Sequence, residues 1–458
     1  MRTRSAIPHT LVLLSAMIVV AQLLTYVLPK GRFERVQTPD GRAQVVAGTF
    51  TVTPGVAPLP MFTALTAVPA DLSAAQEIIF FVLIVGGAFA VLRATGAVDA
   101  LLAVLLARFS QRPFWLVAGS ITLFTIGSST IGMGEEYVPF IPMLVALALA
   151  LRFDAVVGVG MICVGYGIGF GAAATNPFTV LVAQDVAGVV PASGLWYRLV
   201  LTAVFLPIGV HHVWRYAQRV AADPSCSLVA DITPPGGAST ADTQFTPRHW
   251  LTLVLLGATL VLMVVGLTRW HWYLVEMSAL FLGLTIVLSA IGGLGADGAA
   301  RRFCEGAAEL STTALLIGFA RAIQVVLDQG GVIDTIVYGL SMPLQTLGAG
   351  PAAVGMLVFQ TLTNLFIPSG SGQAYVTMPL MAPLADLVGV SRQVAVLAFQ
   401  FGDGFSNVIV PTNAILIGML SIARVPYDRW LRFIVPFLLK IWTASAVALL
   451  AAVWFGYR

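Results

Sequence analysis

Apolar runs of about 18 or more residues recur from one end of the chain to the other, each long enough to cross a bilayer as a helix. A helix in hydrocarbon satisfies its own backbone hydrogen bonds, whereas open strands and loops do not. A chain made of such runs is therefore expected to be an all-α polytopic membrane protein. Composition supports this, since only 10% of the 458 residues are charged, against about a quarter in a soluble domain. The net charge of +3, without a basic stripe, gives no reason to expect nucleic acid as a partner. Cys163, Cys226 and Cys304 form no CxxC pair and lie near no histidine at ligand spacing, so neither a disulfide framework nor a zinc site is expected.

Residues 1–29 read as an uncleaved first helix: Arg2 and Arg4 precede "TLVLLSAMIVVAQLL", no small-x-small cleavage site follows, and the arginines place the N-terminus in the cytoplasm. Residues 30–75 form an extracytoplasmic loop that alternates apolar and polar residues around Asp40-Gly41, the pattern of a small β-hairpin. Apolar segments then fall at about 77–92, 97–109, 113–130, 137–151, 154–190 (interrupted) and 195–217. The Pro/Gly/Ser/Thr-rich stretch 222–249 is a cytoplasmic linker between halves 76–221 and 250–458. The second half has segments at about 250–268, 272–292, 305–327, 332–347, 350–367, 374–388, 392–423 (interrupted) and 430–456. His211-His212 and "RWHWY" (269–273) sit at segment ends and read as interfacial belts.

The two halves resemble each other. "GMGEEYV" (132–138) matches "GSGQAYV" (370–376) at an offset of 238 (370 − 132). "GYG" (165–167) and Thr175-Asn176 match "GDG" (402–404) and Thr412-Asn413 at 237 (412 − 175), and "GAVD" (96–99) matches "GVID" (331–334) at 235 (331 − 96). Charge then sets the topology. Arg152, Arg215, Arg219, Arg301, Arg302, Arg424 and Arg429 all fall in the cytoplasm if the runs around 128–136 and 368–373 are re-entrant hairpins rather than full spans. The halves then have opposite orientation, the inverted-repeat plan of secondary transporters, and the C-terminus lies outside.

Irregular backbone in a membrane is tolerated only where it is buried in protein or lines a cavity. Four places qualify: the hairpin tips 128–136 and 368–373, and the helix breaks 172–178 and 405–413. Freed helix N-termini there suit an anionic group, and freed carbonyl ends suit a cation. Ser and Thr in such helices commonly bond back to the backbone, and Asn176 before Pro177 could merely cap a kink. The recurrence of Thr-Asn at equivalent places favours a solute and cation site. Glu135 and Glu136 are replaced by Gln373 and Ala374 in the second half, and Asp403 by Tyr166 in the first, so the repeat itself does not require these acids. They suit neutralisation of a positive group on the substrate, or a coupling H+ or Na+; Arg321 and Lys440 are the candidate structural partners. No Walker loop, HExxH or GxSxG motif occurs, so neither ATP hydrolysis, an ATPase subunit nor an enzyme is expected.

"GGAF", "GMGEE", "NPF", "VAQDVAGV", "SGSGQA", "MPLMAPLADLVGVSRQVAVLAFQFGDGFSN" and "PTNA" closely resemble the YfcC-type branch of the C4-dicarboxylate anaerobic carrier-like family, in the ion transporter superfamily. The resemblance runs from about residue 6 to the end, apart from the loops at 30–75 and 222–247. It implies secondary active transport in the bacterial inner membrane, with two hairpins and two broken helices in a mobile domain that moves elevator-fashion against a dimerising scaffold. It also implies that Ser129, Thr130, Gly132, Gly134, Thr175, Asn176, Ser369, Ser371, Gly372, Thr412 and Asn413 bind solute and cation, with Na+ at the tips the one metal and no other cofactor. Gln373 and Asn407 join them as substrate-binding candidates, and Glu135, Glu136 and Asp403 meet positive charge. Dicarboxylate carriers of the superfamily show a Ser-Asn-Thr type of tip, whereas this tip carries two acids. Some members resembling this branch are treated as arginine/ornithine exchangers, so an amino acid is preferred over a C4-dicarboxylate, with a passive channel as the alternative of another class.

Overall fold

The computed structural model describes residues 10–37, 43–46, 48–53, 57–98, 100, 104, 112–233, 246–270, 272 and 274–458. The expected turn at Asp40-Gly41, most of the segment 97–109 and linker residues 234–245 lie outside the described residues.

The protein is mostly helical. Helix α1 (Thr10–Val27) leads into strands β1 (Gly31–Arg32), β2 (Arg35–Gln37), β3 (Ala43–Val45) and β4 (Thr51–Val52). β2 pairs antiparallel with β3, Arg35 opposite Val45, so the expected hairpin forms; β1 and β4 make a second ribbon. Arg35 donates to both carboxylate oxygens of Asp334 at 2.8 and 2.9 Å, and the Phe33 amide donates to the same carboxylate at 3.0 Å. These bonds staple the loop after α1 to α13 (Ile333–Ser341). The rest of this loop contains a helix the sequence pattern did not suggest, α2 (Thr63–Ala74).

A peripheral group consists of α1, α2, α3 (Gln76–Ala94), α9 (Pro247–Arg269), α10 (Leu274–Gly292), α11 (Gly295–Glu309) and α12 (Ser311–Gln329). Within it α3 packs on α10 and α11, and α12 on α1 and α2. The segment expected at 305–327 thus begins earlier, at Gly295. Among the described residues, four stretches are long and apolar enough to cross a membrane: Gln76–Ala94, Leu274–Gly292, Gly295–Gln329 and Tyr427–Trp454.

The centre is built from two sets of helices. The first is α4 (Pro113–Thr130), a 3-10 turn (Glu135–Phe140), α5 (Ile141–Ala150), α6 (Ala155–Gly171), α7 (Val180–Val186) and α8 (Leu195–Ala222). The second is α14 (Ala349–Asn364), α15 (Gly370–Leu387), α16 (Arg392–Ser406), α17 (Ala414–Ile422) and α18 (Tyr427–Trp454). α4 and α5 pack on α6 as α14 and α15 pack on α16, while α8 and α18 cover the outside of their own sets. Side chains start both long central helices: Asp154 accepts the Val157 amide, and Ser391 accepts the Val394 amide. The sets meet where α6 crosses α16. A methyl group on Gly404 would lie 2.3 Å from the Gly171 nitrogen, so this approach of backbone to backbone needs glycine.

Two expectations change here. His212 is no belt residue: it is buried on α8, with Nε2 2.9 Å from the Phe433 carbonyl and its ring against Phe433 and Phe437. A histidine has a polar tip on a flat apolar body, so it packs between helices once the tip finds a carbonyl. Part of the linker is also docked rather than free. Ser227 donates to Asp154 at 2.7 Å, the Tyr216 hydroxyl receives the Leu228 amide at 3.0 Å, and Arg429 reaches the Leu228 carbonyl at 2.8 Å. Loop 151–154, the end of α8 and the start of α18 therefore share one end of the bundle, together with their arginines.

Candidate functional site

The first tip is the least regular backbone of the centre. α4 ends at Thr130, and Gly132 turns the chain with φ +82°, a conformation that favours glycine. The second tip is different: Ser369 caps α15 by accepting the Gly372 amide at 3.3 Å, and Gly370 to Gln373 already lie in the helix. The glycines matched in sequence thus make a turn in one half and a first helical turn in the other. A side chain that caps a helix start removes the need for a left-handed residue there.

Each break is latched to its own hairpin. Ser129 accepts the Ala174 amide on both its hydroxyl and its carbonyl, at 2.9 Å each, and its carbonyl also takes the Thr175 amide at 3.0 Å. Thr175 donates to the Thr130 carbonyl at 3.2 Å, and Thr412 donates to the Leu365 carbonyl at 2.9 Å. The two matched threonines do the same work, tying a break to the end of the hairpin's first arm. The asparagines diverge. Asn176 donates to the Ser128 carbonyl and accepts the Phe178 amide, while Asn413 caps α17 through the Leu416 amide and donates to Asn407 at 3.1 Å.

Contacts between the halves bring all four places together. A Cβ on Gly134 would lie 3.4 Å from Tyr166 and 3.8 Å from Ile415, beside the second break. A Cβ on Gly370 would lie 2.6 Å from Thr179, beyond the first break, and 3.3 Å from an Asp403 carboxylate oxygen. Tyr166 is buried on α6 beside the first tip, its ring against Phe170.

The acids differ in their surroundings. Glu136 is 4% exposed and accepts the Gly134 amide at 2.7 Å, holding the tip closed. Glu135 is half-buried. Asp403 is 1% exposed, and neither carboxylate oxygen has a partner among the described residues. None of the three is ion-paired among the described residues. Arg321 and Lys440, the partners considered from sequence, are exposed and do not reach them.

Other candidates are placed less centrally. Thr130 and Ser369 are exposed, Ser371 and Gly372 half-buried. Gln373 turns away from the tip and donates to Gln360 on α14, at 2.9 Å to the carbonyl and 2.7 Å to the side chain. Asn407 accepts from both Asn364 and Asn413. Sequence reasoning missed Gln360, Thr363 and Asn364, all buried on α14, and Thr179, whose buried hydroxyl lacks a partner. Their signal was available: Gln360 and Asn364 are amides four residues apart in an apolar run, hence on one helix face.

No group of three or more His, Cys, Asp or Glu able to hold a metal occurs among the described residues, so Na+ at a tip would depend on carbonyl and hydroxyl oxygens. Two cavities lie elsewhere. One of about 510 Å³ is bordered by Pro113, Arg152 and Trp214, and one of about 370 Å³ by Phe33, Tyr338 and Leu384. Neither is lined by any of the buried side-chain atoms that lack a partner among the described residues, so the junction of tips and breaks is the better candidate.

Comparison with known proteins follows this geometry. A family model described as C4-dicarboxylate anaerobic carrier matches residues 7–454. YfcC of Escherichia coli (strain K12), described as a proposed basic amino acid antiporter, is 34% identical over 99% of this chain and 98% of its own length. An uncharacterized protein of Haemophilus influenzae is 32% identical over 79% of this chain and 72% of its own. Among solved structures, the YdaH transporter of Alcanivorax borkumensis overlays at a TM-score of 0.44 and 16% identity, covering 98% of this chain and 99% of that one. MtrF of Neisseria gonorrhoeae overlays at 0.42 and 16%, covering 97% and 95%.

Proposed function

The chain belongs to the C4-dicarboxylate anaerobic carrier family, and from that premise we propose a secondary active transporter for a small carboxylate-bearing solute that also carries positive charge, an amino acid of the arginine or ornithine type. One observation carries this choice: Asp403 and two glutamates sit where tips and breaks meet, without a basic partner. A carboxylate in that position is costly unless something positive reaches it. A dicarboxylate would add negative charge; an ammonium or guanidinium group would neutralise it. The description of YfcC agrees.

The solute carboxylate is held by amides and hydroxyls of the tips and breaks, and its positive group by Asp403 with Glu135 and Glu136. Transport is by exchange, or coupled to H+ or Na+. The matching packing of α4–α8 and α14–α18 supports an inverted repeat, and such a repeat suits an elevator in a homodimer, with α1–α3 and α9–α12 as the scaffold that meets the centre mainly where α12 packs on α17. The gathering of Arg152, Arg215, Arg219 and Arg429 at one end supports an inner-membrane orientation with that end cytoplasmic. The second reading, a C4-dicarboxylate carrier, is favoured by the description of the matching family model.

Thermal stability of the purified protein separates the two, measured with arginine, ornithine and succinate, with and without Na+, at two pH values. Arginine or ornithine is expected to raise the melting temperature and succinate to leave it unchanged. The reverse pattern would overturn the amino-acid reading.

A further inference from the structure

Each broken central helix has a carbonyl end at its break, and the first turns of the following helix close it. In the second half, Trp430 Nε1 donates to the Val408 carbonyl at 2.8 Å, and the Tyr427 hydroxyl donates to the Ile409 carbonyl. In the first half, Thr202 donates to the Ala172 carbonyl at 3.2 Å, and an Arg198 guanidinium nitrogen reaches the Ala174 carbonyl at 3.4 Å. The two pairs of side chains occupy corresponding places, yet one is neutral and the other carries a full positive charge.

Arg198 is 1% exposed, is ion-paired with no carboxylate among the described residues, and has an Nε without a partner. A buried guanidinium needs negative potential around it. The freed carbonyls of the break just past α6 supply that potential, as unwound backbone does for cations in broken transmembrane helices. The peptide whose carbonyl Arg198 touches is also latched to the first tip, its Thr175 amide donating to the Ser129 carbonyl at 3.0 Å.

We propose that Arg198 is a resident cation: its guanidinium fills the place at the first break that an exchangeable cation would take. The carrier then holds one exchangeable positive group, in the second half at Asp403, rather than one in each half. The Asp403 clause rests on the transport reading above; the clause about Arg198 concerns the folded chain without any solute.

The test compares melting temperatures of the full chain, without substrate, for Arg198→Lys and Arg198→Gln. The lysine variant keeps the charge and is expected to melt within a few degrees of the parent. The glutamine variant keeps hydrogen-bonding capacity but loses the charge, and is expected to melt several degrees lower. Millimolar methylguanidinium, or Na+ entering the vacated place, restores it; neutral methylurea does not. Equal stability of the two variants, or restoration by methylurea as full as by methylguanidinium, overturns the proposal. Where Arg198→Gln yields only aggregate, Arg198→Lys alone decides: folding supports a role for charge, and failure of both overturns it. No transported solute enters these measurements, so they fail or succeed independently of the substrate assignment.

Discussion

At the scale of single residues, the side chains of the site divide into those that hold the backbone and those left open. Ser129, Thr175, Thr412, Asn413 and Glu136 each spend hydrogen bonds on tips, breaks or helix starts. Asp403 spends none through its carboxylate. An unpaired charge in low dielectric opposes folding, whereas its amide isostere does not carry that penalty. Asp403→Asn is therefore expected to stabilise the solute-free protein by about 1–3 kcal/mol, and to abolish any rise in melting temperature on adding a cationic amino acid. Loss of stability in the solute-free variant would show instead that the carboxylate is satisfied within the fold.

At the scale of elements, the crossing of α6 and α16 sets the position of both breaks. Gly404 lies against Gly171 so closely that no side chain fits between the backbones. Forcing a methyl group into packed backbone typically costs about 1–3 kcal/mol, and here the displaced atoms belong to the helices that carry the site. Gly404→Ala is expected to lower stability by about 1–3 kcal/mol, read as a lower melting temperature, and to remove uptake. A variant with normal uptake in proteoliposomes would mean that the crossing does not position the site. The staple between Arg35 and Asp334 belongs to this scale too, joining residues 299 positions apart so that the β-ribbon rides on α13.

At the scale of the whole molecule, two matched sets of central helices pack across each other, and the peripheral group meets them mainly where α12 packs on α17. The exchange proposed above has a physical basis: with Asp403 empty, an unpaired charge would have to cross the membrane. Proteoliposomes preloaded with unlabelled substrate are thus expected to take up labelled substrate faster than empty ones, and to accumulate it transiently above its external concentration. A passive channel shows no such counterflow, and its absence would remove the carrier reading.

Much of this was legible in the sequence. Length of apolar run determined the class, since only helices satisfy their backbone in lipid. The glycines and Thr-Asn pairs at near-constant offset located both tips and both breaks, and the Asp40-Gly41 alternation located the β-hairpin. Sequence also singled out Glu135, Glu136 and Asp403, because an acid stands out against an apolar background whatever its contacts. What only the tertiary structure decided is which polar group is already satisfied. Gln373 turns to Gln360, His212 to the Phe433 carbonyl and Arg198 to the Ala174 carbonyl at the first break, while the Asp403 carboxylate has no hydrogen-bond partner among the described residues. Those partners come from helices distant in sequence, and no periodicity or spacing encodes a hydrogen bond whose two ends are set by packing.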